Sequence, residues 1–201
     1  MKNIVLTILT LSLCTIVMAQ EFDKSIASAK SAYNLGNLED ARFNLENALH
    51  EVDMAIGKEV MKVLPTTLGT LAYNAKDDNV SGMSASFAGL YVHRTYGTAE
   101  DKNANIDIVS DSPMMAGISA ILSMPMIMNS GDGNQKVIKI QGYKTLLSKQ
   151  ADENGQVTGY DVQTPFGSSM LTLHYNGNIT EVEITKLANG IPLEKIISVA
   201  Q

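Results

Sequence analysis

Asp111–Asp132 reads DSPMMAGISAILSMPMIMNSGD, and the assignment of this stretch decides the fold. Between its terminal aspartates it holds no charged residue and five methionines, Met114, Met115, Met124, Met126 and Met128. Ser112 is a good N-cap and Pro113 suits the first helical position. At about 100° per residue, Met114, Met115, Ile118, Ile121 and Leu122 share one face, while Ala116, Ser119, Ala120 and Ser123 cover the other. A helix that is bulky on one side and small on the other is built to be sandwiched, with its large face on a sheet and its small face open to close approach by another helix or a partner. A buried helix is expected, and Pro125 ends it. A Met-rich helix over 112–124 is expected.

The segments on either side read as strands. MSASFAGLYVHRTY, from Met83, is rich in small residues and then alternates, with Leu90 and Val92 opposed to Tyr91 and His93. Ala104–Val109 (ANIDIV) alternates again. Beyond the helix come Val137–Ile140, Tyr143–Gln150, Val157–Gln163 and Ser169–Tyr175, with hairpin signals at Asp152–Gly155 (DENG) and Asn176-Gly177. Strands in succession without intervening helices predict an antiparallel meander. The chain then returns to helix over 180–189. Thr180 and Glu183 form a capping box, Ile179 can staple to it, and Asn189-Gly190 ends it before Pro192. Leu193–Val199 is a last apolar segment.

Upstream of the sheet the period is helical. Phe22, Ile26, Ala29 and Tyr33 recur at three and four, and Gly36 supplies a left-handed end. Asn37 can cap a second helix that carries Ala41, Leu45, Ala48, Leu49, Val52, Ile56, Val60 and Val63 on one stripe and stops at Pro65. The expected organisation is a helical hairpin over 20–64, a junction over 65–81, and an antiparallel sheet domain over 82–201. The class is α+β.

The bulk numbers narrow function by exclusion. The chain has 201 residues, 45% of them hydrophobic and 18% charged, enough for a core and too little charged for disorder. A net charge of −6 without a Lys/Arg run lacks the footprint of a nucleic-acid binder. Lys2, the apolar run Ile4–Val17 and Val17-Met18-Ala19 read as a signal peptide over 1–19 cut after Ala19, which implies a periplasmic or secreted protein with no membrane span after cleavage. The lone cysteine, Cys14, falls inside that leader. A lipoprotein reading would acylate Cys14, but Leu13 is bulky where a small residue is required. The mature chain would carry no cysteine, hence no disulfide or thiolate, and its net charge would be −7 once Lys2 is gone.

Two resemblances carry these readings further. Gly36, Leu38, Ala41, Leu45, Ala48 and Leu49 resemble the second half of a tetratricopeptide repeat, with Ala29 and Ala32 where its first helix needs close approach. The resemblance covers one hairpin, and a single repeat unit cannot bury both faces. It implies that the hairpin packs on the sheet domain or pairs with a second copy as a four-helix dimer. Over residues 82–201, the tyrosine after the long first strand, the DSP-initiated Met-rich helix, VIKI with Gly142-Tyr143-Lys144, and the terminal helix before Ile191–Ile196 (IPLEKI) resemble a family of uncharacterised exported bacterial proteins. That layout is similar to the PsbP/Mog1 type of α/β/α sandwich. It implies an accessory or partner-binding module, none of whose motifs is catalytic.

Residues with chemical potential are few. Met124, Met126 and Met128 alternate, so in an extended stretch their thioethers would face one way, as a Cu(I) site requires. Met114 and Met115 lie roughly 15 Å back along a helix and cannot join them. The competing reading makes all five core or partner surface. His93 and His174 could face each other if their strands were adjacent, whereas His50 sits on a helix beside Leu49. No G-x-S-x-G, H-E-x-x-H, P-loop or G-x-G-x-x-G is present. Asp77-Asp78 and Asp152-Glu153 sit in turns, where solvation explains them. Asp152-x-Asn154-Gly155 echoes a calcium loop, but Gln163 stands where its distal glutamate belongs. The expectation is an exported, non-enzymatic protein without cofactor that binds a protein partner or a small apolar ligand. A copper-binding protein is the alternative and an enzyme the third reading.

Overall fold

The computed structural model describes residues 20–82, 89–98, 102–111, 114–123 and 134–200. It divides into two compact units, residues 1–55 and residues 56–201. The expected leader with Cys14, the N-cap Ser112, the side chain of Met114, and Met124, Met126 and Met128 lie outside the described residues.

The first unit is the expected hairpin. Helix α1 covers residues 20–34, and α2 covers Leu38–Val63, whose residues up to Ala55 belong to this unit. Gly36 has φ +76°, and the bonds Asn37 N–H to Ala32 O and Gly36 N–H to Tyr33 O close a Schellman turn. The Asn37 side chain accepts from the Asp40 N–H at 3.3 Å and caps α2. Ala29, Ala41 and Ala48 are this unit's buried hydrophobic residues among those described.

The second unit is built on a seven-stranded sheet. Its strands are β3 (Asn79–Ser81), β4 (Tyr91–Gly97), β5 (Asn103–Ser110), β6 (Gln135–Ile140), β7 (Tyr143–Ala151), β8 (Val157–Phe166) and β9 (Ser169–Asn176). Every pairing is antiparallel, in the order β3-β4-β5-β9-β8-β7-β6. The sheet is therefore two meanders, β3–β5 and β6–β9, joined by pairing of β5 with β9. Helix α3 (Met114–Ser123) lies on the connection from β5 at the centre to β6 at the edge. The segment expected as a junction contributes β3 and a small separate hairpin, β1 (Thr67–Leu68) with β2 (Leu71–Ala72).

Side-chain alternation separates the sheet's two faces. One presents Val92, Tyr96, Ala104, Ile106, Ile108, Leu171, Leu173, Tyr160 and Val162, all buried in one core with Val60 of α2 and Leu64 just past it, Ile184 and Ala188 of α4 (Glu181–Asn189), and Leu193 and Ile196 of α5 (Leu193–Ala200). Close approach shows at Gly57, where a Cβ would stand 2.3 Å from Val80 Cγ1. On the opposite face, Ile118 and Leu122 of α3 pack with Leu146 and Met170. Met115 and Ile121 lie partly buried against them, so the bulky face meets the sheet, but Ala116, Ser119, Ala120 and Ser123 are exposed: the helix lies on the sheet and, among the described residues, is not buried between two layers. The Thr180/Glu183 capping box is also present.

Two further expectations give way. Asn176-Gly177 is not a hairpin turn, because β9 is the last strand and leads into α4. The two-residue hairpins are at Gln141-Gly142, both with positive φ (48° and 89°), and at Gly167-Ser168. Gln141 keeps a conformation unusual for a side-chain-bearing residue because its amide donates to Asn189 O and Ile191 O, the carbonyls at the end of α4. Asp78 is not a solvated turn residue either. It pairs in two-point fashion with Arg94, at 2.9 Å (Nε to Oδ1) and 2.6 Å (Nη2 to Oδ2).

Arg94 is a buried cation on the core face of β4. Besides Asp78, it donates to the carbonyl of Leu64 just past α2 and stacks 4.6 Å above the Tyr73 ring. Its pKa is raised further by the Asp78 hydrogen bonds, which outweigh desolvation. Removing one partner of a buried pair leaves the other uncompensated, at about 3 kcal/mol or more. Asp78→Ala is expected to lower unfolding free energy in urea by about that amount. Arg94→Met combined with Asp78→Leu should recover most of the loss.

Candidate functional site

The face of the sheet that carries α3 changes character along the strands. Near α3 it is apolar. Further along, alternation brings Tyr91 and His93 (β4), Asn105 and Asp107 (β5), His174 (β9), Asp161 (β8) and Gln150 (β7) to one side. His93 and His174 share this side although β4 and β9 are not neighbours, because β5 runs between them and contributes Asp107. The acids that the sequence could not place are Asp107 and Asp161. Their signal was present: in ANIDIV, Asp107 alternates with Ile106 and Ile108, so it must point away from the core.

Asp107 Oδ1 accepts from the Tyr91 hydroxyl at 2.7 Å and lies 2.7 Å from His93 Nδ1, while Asn105 donates to Oδ2. The Tyr91 and His93 rings stack with centroids 6.1 Å apart. Burial first, and then Asp107, raise the Tyr91 pKa well above its ordinary value. Asp161 Oδ1 lies 2.5 Å from His174 Nδ1 and accepts from Gln150 Nε2 at 2.8 Å. His174 Nε2 stands 3.8 Å from Asp107 Oδ2, so the two groups form one chain.

Asp107 accepts on both oxygens, from Tyr91 at Oδ1, beside His93, and from Asn105 at Oδ2, whereas the contacts of Asp161, with His174 and Gln150, both fall on Oδ1. The hydroxyl-bearing positions around them in the register are Thr172 opposite Asp107, Ser148 opposite Asp161 and Thr95 opposite Asn105, and among the described residues none of the three is bonded to either histidine. Among the described residues no three His, Cys, Asp or Glu side chains gather as metal ligands. Nor does the DENG turn hold an ion: Asp152 Oδ1 accepts from the Asn154 and Gln156 N–H groups and caps the β7–β8 turn.

A different kind of site lies at the edge of the core. A cleft of about 460 Å³ is bounded by the β1–β2 hairpin (Leu68, Gly69, Leu71), the β9–α4 connection (Tyr175, Asn178, Ile179) and α4 (Glu183, Lys186, Leu187), with Lys102 at its mouth. No local pattern marks it, because its walls come from segments about a hundred residues apart.

No protein-family model, curated protein or solved structure matches this chain.

The pKa shifts fix a pH dependence. That of His174 is raised, chiefly by its hydrogen bond to Asp161, so its contribution is full below the ordinary value of 6.5 and is lost as pH rises through the folded value. Burial pushes Asp161 up, but the hydrogen bonds from His174 and Gln150 outweigh it. Its pKa falls below 3.8, and its contribution is lost as pH falls through the folded value. Both act together between 3.8 and 6.5. His174→Ala should therefore lower Tm more at pH 5.5 than at pH 8.5. Equal losses would show that the pair carries no charge.

Proposed function

We propose that this protein is an exported, non-catalytic binding protein of the cell envelope that assembles through its helical hairpin with a second copy of itself. The observation that carries the proposal is the inversion of polarity in the first unit. Its buried hydrophobic residues are small alanines, whereas Phe22, Ile26, Tyr33, Leu35, Leu38, Phe43, Leu45, Leu49 and Val52 are exposed. The most exposed cluster around the turn between the helices: Leu35 at 82%, Tyr33 at 66%, Leu38 at 63% and Phe43 at 61%.

A solvated hairpin normally turns its bulky residues toward an alanine seam or a neighbour. Here Leu38, Leu45, Leu49 and Val52 fall on the α2 stripe that also carries Ala41 and Ala48, so the large side chains flank a seam too narrow to cover them. Contiguous exposed apolar surface of this kind marks an interaction site. Two identical hairpins related by a twofold axis bury the same stripe on each partner and complete a four-helix arrangement. The export reading is supported by the apolar N-terminal run.

Light scattering on the chain beginning at Gln20 is expected to give twice the mass of one chain at micromolar concentration. Leu38→Glu with Leu45→Glu should return it to a single chain. Because both positions are exposed, the circular dichroism of that variant should be unchanged and its Tm should shift little beyond the loss of association. A mass of one chain at about 100 μM, well above the Kd of stable dimers, would sink the proposal.

A further inference from the structure

The cleft beside α4 has an apolar interior and a polar mouth. Leu68, Leu71, Ile179, Leu187 and Tyr175 are among its walls, and its volume of about 460 Å³ lies within the roughly 300–1,000 Å³ of small-molecule sites. The walls are held in place. The β1–β2 turn passes over α4 at Gly69, which has φ +62° and where a Cβ would stand 2.7 Å from Leu187 Cδ2. Tyr175 and Leu68 belong to the buried core, so the floor of the cleft is continuous with it.

The charges at the mouth are unequal. Lys102 and Lys186 line it together with one acid, Glu183. Glu183 is already engaged: its carboxylate accepts from the Thr180 N–H at 2.9 Å and the Thr180 hydroxyl at 2.7 Å in the cap of α4. Among the described residues neither lysine has a carboxylate within 4.0 Å. The stem of Lys102 is held against backbone that only glycine provides. Gly177 has φ +129°, and a Cβ there would meet Lys102 Cγ at 3.0 Å. Among the described lining residues the mouth thus carries one cation in excess, on a chain whose overall charge is −6.

From this pairing we propose that the cleft binds a free medium-chain monocarboxylate. Its alkyl chain lies on Leu68, Leu71, Ile179 and Leu187, and its carboxylate meets Lys102 and Lys186. An uncharged apolar ligand would leave both ammonium groups unmatched, and a cationic one would be repelled. A dianion would exceed the single surplus charge. The inference stands on unit-two residues alone and does not depend on association through the hairpin.

Calorimetric titration of the chain from Gln20 with octanoate, decanoate and dodecanoate, each below its micellar concentration, tests it. Affinity is expected to rise by about fourfold per added methylene until the cleft is filled. Decan-1-ol and decylammonium should bind at least about tenfold more weakly than decanoate, the scale of one charge-assisted contact. Lys102→Gln with Lys186→Gln should abolish that preference while leaving decan-1-ol affinity within about twofold, since the apolar walls are untouched. Methyl NMR shifts should centre on Leu68, Leu71, Ile179 and Leu187. Equal affinity for acid, alcohol and amine would overturn the assignment, as would no binding. Shifts centred on Leu35, Leu38, Leu45 and Leu49 would do the same, by placing the ligand on the hairpin. A leucine-terminated peptide that binds as tightly through its free carboxylate would also overturn it, moving the ligand class to protein C-termini.

Discussion

A charge inside the core holds the second unit in register. Arg94 projects from β4 into a layer otherwise made of Val92, Tyr96, Ile106 and Leu173, where an unpaired guanidinium would be untenable. Its donors are met by Asp78 from the segment before β3, by the Leu64 carbonyl at the end of α2, and by the face of Tyr73. Tyr96 adds a hydrogen bond to the Pro65 carbonyl, and Tyr73 bridges to Tyr96. The path of the chain from Leu64 to Asp78 is therefore specified by one side chain. Apolar packing would tolerate several paths for this segment, whereas a planar five-donor group with fixed geometry tolerates very few.

That path has functional consequences. It sets the β1–β2 hairpin against α4 and so forms one wall of the lysine-rimmed cleft. The sheet's other face carries a second polar system of a different type. The Tyr91–Asp107–His93 and His174–Asp161–Gln150 groups are half-buried and linked laterally across five strands. They satisfy the part of that face that lies beyond α3.

How much of this was legible follows from the range of each signal. Gly36, Asn37, Thr180 and Glu183 act on backbone within a few residues, so the hairpin and the α4 cap could be read directly. Alternation also revealed which side of each strand meets the core. It carries no information about which strand lies alongside, so the pairing of β5 with β9, and with it the meeting of His93, Asp107 and His174, could not be read. Asp78 misled because a turn aspartate and an ion-paired one look alike until Arg94 is known to point inward. Asn176-Gly177 misled for a related reason: its positive-φ glycine accommodates the Lys102 stem rather than a reversing strand.

The division of the sheet into two meanders also bears on how the chain finds its structure. Within β3–β5 and within β6–β9 every partner is reached through a short connection. The ladder between β5 and β9 instead joins residues from Ser110 with Ser169 to Asn103 with Asn176, and so closes the longest loop in the sheet. Each half can gather its own hydrogen bonds early and at little entropic loss, but the seam cannot. Until it closes, β5 and β9 each present an open ladder edge, the hydrophobic positions of which are Ile106, Ile108, Leu171 and Leu173. The centre of the finished sheet is thus the most vulnerable surface of the unfinished one.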